Sequence, residues 1–331
     1  MTPATNMRFC WPHGSPPAPE SLLSSSPALV SVDWGTSAFR ARLAVADGSA
    51  LDAVEAEVGA VGLASGAHEA FLESQIGDWL RRFPGLPIVM SGMVGSRQGW
   101  VEAPYAACPA GAAEIAAAMT AVATERIGRV LVIPGLSARD GRGAPDVMRG
   151  EETQILGALA ASGRNDGLFV LPGTHSKWAR VEGGRVVGFA TFMTGEVFAA
   201  LKDHTLLGRL MAPPDAGDGA AAADAFAGGL AASAALERPG DLLHAVFMTR
   251  TLGLFHQLPA HALADYLSGL LIGAEVIAGA QGAAHACIVG SLGLTARYRA
   301  AGAALGIALT PAPENCATLG QIALLRRTGA L

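Results

Sequence analysis

The sequence is almost without lysine. Among its 331 residues only Lys177 and Lys202 are lysines, and the formal net charge is −5. No run of lysine or arginine could neutralise a track of phosphates, which is how proteins gain most of their affinity for nucleic acids. The composition therefore predicts no nucleic-acid partner. Because there are only two lysines, the surroundings of each one in the structure are of interest.

Cysteine is also scarce. The four cysteines are far apart in the sequence and show no C-x-x-C spacing: Cys10, Cys108, Cys287 and Cys316. This excludes the usual spacing of a zinc site or of a disulfide framework. Isolated thiols of this kind fit a reducing compartment, so the sequence predicts a cytoplasmic protein.

Two marks of a secreted or membrane protein are missing as well. Residues 1–28 are rich in proline and serine and lack the basic start and apolar core of a signal peptide. We expect them to form a disordered N-terminal tail. The apolar stretch 269–290 approaches the length of a membrane span, but Glu275, Gln281 and His285 interrupt it. It predicts a buried helix followed by a strand, and no membrane partner.

What the sequence does contain is a repeated pattern. Residues 29–37 read LVSVDWGTS, and residues 168–176 read LFVLPGTHS. Each copy combines an apolar strand with a turn that carries glycine and hydroxyl side chains, and each begins an antiparallel meander of three strands. The chain is also long enough for two domains. We therefore expect a divergent duplication, that is, an α/β protein of two lobes with a cleft between them.

Hydrophobic periodicity predicts the remaining elements. Strands are expected at 29–33, 39–45, 50–58, 86–92 and 129–135, and helices at 68–82, 111–123 and 151–161. A loop is expected over 136–150, and a polar, glycine-rich connection over 211–222. Another helix is expected to begin near residue 194, with Thr194 as its N-terminal cap.

The two turns have the composition of phosphate-binding loops. Glycine lets the backbone approach a ligand closely, and free amides and hydroxyls can bind phosphate oxygens without a Walker lysine. The predicted contacts to a triphosphate held between the lobes are Gly35, Thr36 and Ser37 in the first turn, and Gly173, Thr174 and His175 in the second. Lys177 follows the second turn, either as a phosphate or substrate contact or as a solvated strand lysine.

A carboxylate stands before the first turn only. Asp33 ends the first strand, and Pro172 occupies the corresponding place in the second copy. Because Mg²⁺ prefers one or two carboxylates together with substrate phosphates, Asp33 is predicted to hold Mg²⁺ through water. The alternative for both turns is an ordinary hairpin, since Asp, Gly, Thr and Ser are common in such turns.

Longer strings of the sequence resemble one protein family. DWGTS, GTHSKW and VGSLGLTARY resemble the first phosphate, second phosphate and adenosine motifs of the actin-like ATPase superfamily. SGMVGSRQGWVEAPY, VMRGEETQILGA, PGTHSKW, MTGEVF and YLSGLLIGAE, in this order, are similar to strings of the 2-dehydro-3-deoxygalactonokinase family of bacterial galactonate catabolism. The resemblance runs from residue 29 to the end of the chain. It implies a two-lobed actin-like (ribonuclease H-like) fold with lobes at 29–162 and 163–331, the last helix returning to the first lobe.

The resemblance also implies an activity. A member of this family would use ATP and Mg²⁺ to phosphorylate the 6-hydroxyl of 2-dehydro-3-deoxy-D-galactonate. Adenosine would then lie at Gly290, Ser291 and Gly293, after the strand CIV. The alternative for these three residues is a plain strand-to-helix turn.

Two adjacent glutamates are candidates for the general base. Glu151 and Glu152 stand in the first turn of a predicted helix, a position that resembles the catalytic glutamate of related exopolyphosphatases. Either carboxylate could accept the proton of a primary hydroxyl. The alternative is that both only complement the helix macrodipole, which stabilises a helix by roughly 0.3–1 kcal/mol.

The implied substrate carries a carboxylate, which needs a cationic or amide-rich anchor. The candidates lie in the loop that follows the strand at 86–92, with Ser91, Gly92 and Arg97, and at Arg149. Trp100 is a candidate wall of the substrate site, with packing as its alternative. A solvated loop arginine is the alternative for Arg97.

Three other functions stay open on the sequence alone. The chain could phosphorylate another sugar acid, such as 2-dehydro-3-deoxygluconate, it could be a phosphohydrolase, or it could be a nucleotide-dependent switch. Short loops at the cleft speak against the switch. A dehydrogenase or serine hydrolase is excluded because the sequence has no G-x-G-x-x-G after a strand and no G-x-S-x-G. The expected partner is a small-molecule sugar acid, and the sequence leaves a homodimer open.

Overall fold

A computed structural model of the chain describes residues 26–64, 66–214 and 218–331. The predicted N-terminal tail lies outside the described residues except for residues 26–28. Residues 215–217, within the predicted connection 211–222, lie outside them as well.

Within these ranges the chain alternates strands and helices. The strands are β1 (Leu29–Trp34), β2 (Phe39–Ala44), β3 (Ala50–Ala56), β4 (Ile88–Ser91), β5 (Tyr105–Ala107), β6 (Ala110–Gly111), β7 (Thr120–Ala123), β8 (Arg129–Val132), β9 (Gly135–Arg139), β10 (Pro145–Met148), β11 (Gly167–Leu171), β12 (Ser176–Glu182), β13 (Arg185–Phe192), β14 (His285–Ile288) and β15 (Ala308–Pro311). The α-helices are α1 (Ala67–Arg82), α2 (Ala112–Ala117), α3 (Glu151–Ser162), α4 (Thr194–His204), α5 (Gly219–Ala234), α6 (Asp241–Leu254), α7 (Leu263–Ala280), α8 (Leu292–Ala304) and α9 (Cys316–Thr328).

Two six-stranded sheets share one arrangement. The strand order is β3-β2-β1-β4-β8-β7 in the first sheet and β15-β14-β11-β12-β13-β6 in the second. In each sheet a central strand, β1 or β11, pairs antiparallel with the next strand of its meander and parallel with a later strand, β4 or β14. The two predicted turns therefore occupy equivalent places, and the predicted α/β actin-like fold is confirmed.

The first sheet is held by a helix with matching periodicity. Val30 and Val32 are fully buried in β1, and Leu72, Ile76 and Trp79 of α1 pack in the same core cluster. The three α1 residues recur at the helical period of three to four residues, so they share one face of the helix. Each fully buried side chain of this size stabilises the fold by about 1.5–3 kcal/mol. This packing fixes the strand that carries Asp33.

The C-terminal helix lies on the first sheet. Helix α9 packs along α3 and reaches β1, where the hydroxyls of Ser31 and Thr318 are 2.9 Å apart. The Gln321 amide also donates to the carbonyl of Val32 at 2.9 Å and to Ser91 Oγ at 3.1 Å. These bonds tie the end of the chain to the two strands that lead into the predicted site.

Two predicted elements were wrong. The helix predicted over 111–123 ends at Ala117, and the chain continues as β7, because residues 120–123 alternate in burial and pair antiparallel with β8. The loop predicted over 136–150 is mostly a hairpin of β9 and β10. Asp140 closes its turn by accepting the backbone N–H groups of Arg142 and Ala144, both at 2.8 Å. In both cases antiparallel pairing with the next strand of the chain decides the structure, and residue composition does not.

The N-terminus of α4 also differs from the prediction. Thr194 is the first helical residue and not the cap, which is Met193 without a side-chain capping bond. The Thr194 hydroxyl instead binds the buried carboxylate of Glu275. This side chain therefore serves a tertiary contact.

One helix is apolar enough to be compared with a membrane span. By length and composition the segment Ala260–Ala280, which contains α7, could cross a membrane, but most of it is buried inside the fold. Glu275 in this helix is 2% exposed. The segment is a core helix of the second lobe, as the interruptions in its sequence predicted.

Candidate active site

The first turn joins β1 to β2 and leaves its hydroxyl groups exposed. Gly35 N–H donates to the carbonyl of Ala38 at 2.9 Å, which closes the turn, and the side chains of Thr36 and Ser37 are exposed to solvent. Ala60 N–H donates to Gly35 O at 3.0 Å and holds the turn from outside. The predicted phosphate contacts of the first lobe are thus accessible on a fixed backbone.

Asp33 is half-buried at the end of β1, beside two arginines of β2. Arg40 lies directly across the antiparallel pair, with its guanidinium nitrogen 3.8 Å from Asp33 Oδ2. Burial raises the pKa of Asp33, while the positive charges of Arg40 and Arg42 act in the opposite direction. The carboxylate therefore sits in a partly desolvated place with nearby positive charge.

The second turn joins β11 to β12 in the equivalent position. Gly173 N–H donates to Ser176 Oγ at 3.4 Å, and Thr174 and His175 are exposed. His175 Nε2 lies 2.5 Å from Glu196 Oε2 at the start of α4. This pair could not be predicted from the sequence, because the two residues are 21 positions apart.

Glycine lets α4 approach the second turn. A Cβ on Gly195 would lie 2.5 Å from the carbonyl oxygen of Gly173, closer than real contacts allow. Glu196 N–H donates to Thr174 O at 3.0 Å across the same junction. The start of α4 therefore packs directly against the second turn.

Three charged groups of the candidate site interact electrostatically. Lys177 is 5% exposed on β12, so the alternative of a solvated strand lysine does not hold. Burial raises the pKa of Glu151, the positive charge of Lys177 lowers it, and the negative charge of Asp33 raises it. Glu151 of α3 thus lies near both Asp33 of β1 and Lys177, which follows the second phosphate turn.

Ser91 and Gly92 lie next to Asp33. Gly92 has φ +95°, and a Cβ there would come within 2.7 Å of Trp34 O and 3.3 Å of Asp33 Oδ1. The Ser91 side chain is buried and its Oγ accepts from Gln321. Gly92 lets the substrate loop pass directly against the predicted metal carboxylate, whereas Ser91 serves the contact with α9.

The two adjacent glutamates have different environments. Glu151 is half-buried and accepts Arg149 N–H at 2.9 Å. Glu152 is completely buried and accepts Gly150 N–H at 2.7 Å and the Thr153 hydroxyl at 2.8 Å. Burial and the charge of Glu151 raise the pKa of Glu152 to about 7. Glu152 therefore caps and fills the start of α3, while Glu151 is the carboxylate associated with Lys177.

The raised pKa of Glu152 predicts a pH-dependent stability. Its neutral form is favoured in the folded state, so this contribution is complete below the ordinary pKa of 4.5 and is lost as the pH rises through about 7. Glu152→Gln should remove the loss and raise the free energy of unfolding at pH 8 by about 3 kcal/mol relative to the wild type. Urea unfolding from pH 4 to 8 measures this. The exposed Glu57→Gln serves as control; a Glu152→Gln curve parallel to the wild type would contradict the assignment.

The two arginines proposed as anchors differ sharply. The Arg97 side chain is 84% exposed and pairs with Glu102 at 3.1 Å. Arg149 is half-buried, stacks on the ring of Tyr105 at 4.3 Å and donates from Nη2 to Ala103 O at 2.8 Å. Its Nε and Nη1 are buried and have no hydrogen-bond partner among the described residues. Arg149 therefore has donors left for a ligand, whereas Arg97 is already paired.

Trp100 belongs to an aromatic cluster. Its ring stacks on His68 with centroids 6.0 Å apart, and His68 in turn packs against Trp34. Trp34 is completely buried at the end of β1. This geometry favours the packing alternative for Trp100, which supports the end of β1 from behind.

Two cavities lie near the second phosphate turn and the start of α8, and one of them is lined by the predicted adenosine loop. Gly290 and Ser291 line an interlobe cavity of about 270 Å³ that also contains Asp33, Arg40 and Arg42. A larger cavity of about 610 Å³ lies within the second lobe. Its lining includes the second phosphate turn, the start of α4 and the first turns of α8: Gly173, Thr194, Gly195, Leu294, Arg297 and Tyr298. Gly293 is the second residue of α8, has open space at its Cβ position and lines neither cavity.

The sequence reasoning missed three residues of the site. Arg40 and Arg42 alternate along β2 on the face that bears Asp33, a signal that was present in the sequence. Glu275 gave no such signal, because it appears only as an interruption of an apolar helix. Its partners come from β12 and α8.

Comparison with known proteins agrees with this architecture. Residues 33–324 match the family model described as 2-keto-3-deoxy-galactonokinase. The chain is 42% identical over 279 residues to a probable 2-dehydro-3-deoxygalactonokinase of Rhizobium meliloti, covering 82% of this chain and 87% of the relative. It is 36% identical over 284 residues to the 2-dehydro-3-deoxygalactonokinase of Escherichia coli, with coverages of 85% and 91%.

A solved structure gives the same result. A crystal structure from Sinorhizobium meliloti, whose protein provisionally carries the same enzyme name, superposes with a TM-score of 0.77 at 36% identity and covers 91% of this chain and 98% of its own. The strings that resembled this family in the sequence all lie within the matched region. The chain belongs to the 2-keto-3-deoxy-galactonokinase family of sugar-acid kinases.

Proposed function

We propose that this kinase transfers the γ-phosphoryl group of ATP to the 6-hydroxyl of 2-dehydro-3-deoxy-D-galactonate. The observation that carries the proposal is the position of Glu151 at the start of α3, where Gly150 packs on Gly92 beside Asp33 and where the charges of both Asp33 and Lys177 act on the Glu151 carboxylate. Phosphoryl transfer needs mainly positioning and neutralisation of charge, and these three charged groups supply both.

The two turns bind the triphosphate in this proposal. The exposed hydroxyls of Thr36 and Ser37 and the amide of Gly35 contact phosphate oxygens from the first lobe, and Gly173, Thr174 and His175 do so from the second. Backbone amides and hydroxyls suit this task because they donate hydrogen bonds without a charge of their own. The arginines Arg40 and Arg42, on the same face as Asp33, add positive charge beside the phosphates.

The residues around Asp33 fit a Mg²⁺ ion. The described part of the chain has no group of three or more His, Cys, Asp or Glu residues that could hold a metal. Mg²⁺ does not need such a group, because it takes one or two carboxylates and completes its coordination shell with phosphate and water oxygens. Asp33 would hold it, with Glu151 near enough to feel the charge of Asp33. When bound, Mg²⁺ neutralises charge on the β- and γ-phosphates.

Glu151 acts as the general base. Its carboxylate accepts the proton of the 6-hydroxyl as the oxygen of that hydroxyl bonds to the γ-phosphorus, and the bond to the β-phosphate oxygen breaks to release ADP. Lys177 keeps Glu151 ionised, because its positive charge lowers the pKa that burial raises. The Lys177 ammonium group can also stabilise the negative charge of the phosphoryl group during its transfer. Glu152 takes no part in the transfer.

Arg149 anchors the carboxylate of the sugar acid. Its two buried, unpartnered nitrogens require an acceptor, since a buried unsatisfied donor costs about 1–3 kcal/mol. A substrate carboxylate supplies that acceptor, and an arginine fork matches its geometry. The carboxylate end of the substrate would then lie beside Gly95, whose Cβ position is 3.1 Å from Arg149 Nη1.

Exchanging the two candidate arginines tests the anchor. Arg149→Met keeps an unbranched stem to pack on Tyr105 but removes the fork, and it should raise the KM for the sugar acid about 10–100-fold. The matched variant Arg97→Met removes an exposed arginine and should change that KM less than about twofold. Steady-state kinetics at saturating ATP measures both. A larger effect of Arg97→Met would move the anchor to the exposed loop.

The cavity of about 610 Å³ takes the nucleoside. Its lining combines apolar side chains such as Phe198 and Leu271 with charged ones such as Asp265 and Arg297, and it includes Gly173 of the second phosphate turn. A nucleotide whose phosphates lie at the turns can therefore place its base in this cavity. None of the predicted adenosine contacts Gly290, Ser291 and Gly293 lines this cavity; Gly290 and Ser291 line the interlobe cavity.

Location and assembly are part of the proposal. The three cysteines of the described residues, Cys108, Cys287 and Cys316, are free thiols, which supports a reducing cytoplasm. The homodimer stays a prediction from the sequence. The lobe boundaries at 29–162 and 163–331 likewise stay predictions. One strand does not follow them, because β6 lies in the first segment but pairs with β13 of the second sheet.

A coupled assay of ADP release tests the function. Wild-type protein with Mg²⁺ and ATP should respond strongly to 2-dehydro-3-deoxygalactonate and weakly to galactonate or 2-dehydro-3-deoxygluconate. Preferential response to 2-dehydro-3-deoxygluconate would reassign the substrate but keep the reaction. ADP release at the same rate with and without every sugar acid would contradict a kinase and favour a phosphohydrolase or a switch.

A further inference from the structure

A buried carboxylate of α7 has no part in the transfer described above. Glu275 is 2% exposed and accepts hydrogen bonds from Trp178 Nε1 at 2.9 Å and from the Tyr298 hydroxyl at 2.6 Å. Burial raises its pKa, and hydrogen bonds from Thr194 and Tyr298 act against that rise. One side chain thus collects donors from α4, β12 and α8.

The hydrogen bonds continue from Glu275 to the second phosphate turn. The Tyr298 hydroxyl lies 3.1 Å from Ser176 Oγ, and this oxygen accepts Gly173 N–H at 3.4 Å. Gly173 belongs to the turn that we assign to the phosphates of ATP. A continuous path of polar contacts therefore connects a carboxylate of α7 to a backbone amide of the turn.

Helix α7 is packed directly on this network. A Cβ on Gly279 would come within 2.4 Å of the Trp178 indole, so the helix backbone lies against the ring whose N–H reaches Glu275. Trp178 itself is 3% exposed. The carboxylate is therefore held between rigid elements and cannot turn to another set of donors without moving them.

The network forms one wall of the large cavity. Gly173, Thr194 and Tyr298 all line it, whereas Glu275 lies behind them. A buried charge is a weak device for stability alone, because its desolvation costs several kcal/mol and apolar replacement is often neutral or better. Its specific effect is on geometry, since one carboxylate fixes the orientation of several donors at once.

We propose that Glu275 is a positioning residue for the nucleotide. It fixes the relative positions of Tyr298, Thr194 and the second phosphate turn. A nucleoside in the cavity and phosphates at the turn can therefore be bound at the same time. Glu275 touches neither. The inference rests on the proposed function, because it takes the cavity of about 610 Å³ as the nucleoside site.

Two conservative substitutions and their combination test the proposal. Glu275→Gln keeps the shape but removes the charge and one acceptor, and Tyr298→Phe removes the hydroxyl that connects the carboxylate to Ser176. Each should weaken ADP binding, measured by calorimetry, and raise the KM for ATP about 5–10-fold, with the KM for the sugar acid within about twofold. The double variant should bind ADP about as tightly as the weaker-binding of the two single variants, because both substitutions break the same path.

The control is a buried polar residue at a different contact of α7. Ser233 of α5 is 2% exposed and packs against Gly273 of α7, without contact to the phosphate turn. Ser233→Ala should leave ADP binding unchanged even if its Tm falls as much as that of Glu275→Gln.

The outcomes separate the inference from the function on which it rests. Normal ADP affinity in Glu275→Gln, equal changes in both KM values, or additive losses in the double variant would each overturn the positioning role while leaving the kinase intact. A wild-type protein that binds no ADP would instead overturn the proposed function, and the inference with it.

Discussion

The Asp33→Asn variant is expected to lose at least about 100-fold in kcat, equivalent to roughly 3 kcal/mol of electrostatic stabilisation in the transition state. The reason is that Asp33 is the carboxylate at the end of β1 beside the first phosphate turn, and its amide replacement keeps the shape but not the charge that would hold Mg²⁺. Burial already raises the pKa of Asp33, so a neutral side chain should leave the fold intact.

An exposed aspartate of the same lobe provides the matched control. The Asp78 side chain on α1 is 89% exposed, and Asp78→Asn should retain wild-type kcat. Thermal unfolding of both variants checks that neither loses its structure. An Asp33→Asn enzyme within threefold of wild type at saturating Mg²⁺ would remove Asp33 from the metal site.

The two adjacent glutamates should respond very differently to the same substitution. Glu151→Gln is expected to lower kcat by about 100-fold or more, because it removes the proton acceptor near Lys177. Glu152→Gln should stay within about threefold of wild type, since that carboxyl is completely buried and bonds only within the start of α3. The pair forms its own control, as both substitutions occur in the same helical turn.

The pH dependence distinguishes a base from a helix-dipole contact. Burial raises the pKa of Glu151, so the wild-type kcat should fall on the acid side at a pH above the ordinary value of 4.5. This acid limb should disappear in Glu151→Gln and persist in Glu152→Gln. Equal and mild losses in the two variants would favour the helix-dipole role for both residues.

The phosphate turns could be predicted from the sequence because they are local. Asp33 and Gly35 follow an apolar strand within a few residues, and the second copy repeats the pattern at Gly173. A turn of this kind is decided by its own glycine and hydroxyls. The duplication then implied two equivalent places, and the shared topology of the two sheets bears this out.

Contacts between elements decided what the sequence did not reveal. Residues 120–123 continue an alanine-rich stretch, and pairing with β8 makes them a strand. The choice between Glu151 and Glu152 depends on burial and on the charge of Lys177, 26 positions further along the chain. Glu275 is set by partners on β12 and α8. No local pattern carries this information.

The unpaired donors of Arg149 belong to the same class of feature. The sequence offered Arg97 and Arg149 as equal anchors, and the contacts with Glu102 and Tyr105 distinguish them. The first contact is local to one loop, whereas the second joins β5 to the residue that follows β10 in the small third sheet of β10, β9 and β5.

The fate of the γ-phosphoryl group tests the central claim most directly. ATP with a labelled γ-phosphoryl group is incubated with the wild-type protein, Mg²⁺ and 2-dehydro-3-deoxygalactonate, and label is followed in both the sugar product and inorganic phosphate. The account predicts one labelled sugar phosphate for each ADP, with the phosphate at the 6-position by phosphorus–proton correlation, and none from Asp33→Asn. Label that appears in inorganic phosphate while the sugar acid stays unlabelled would contradict it.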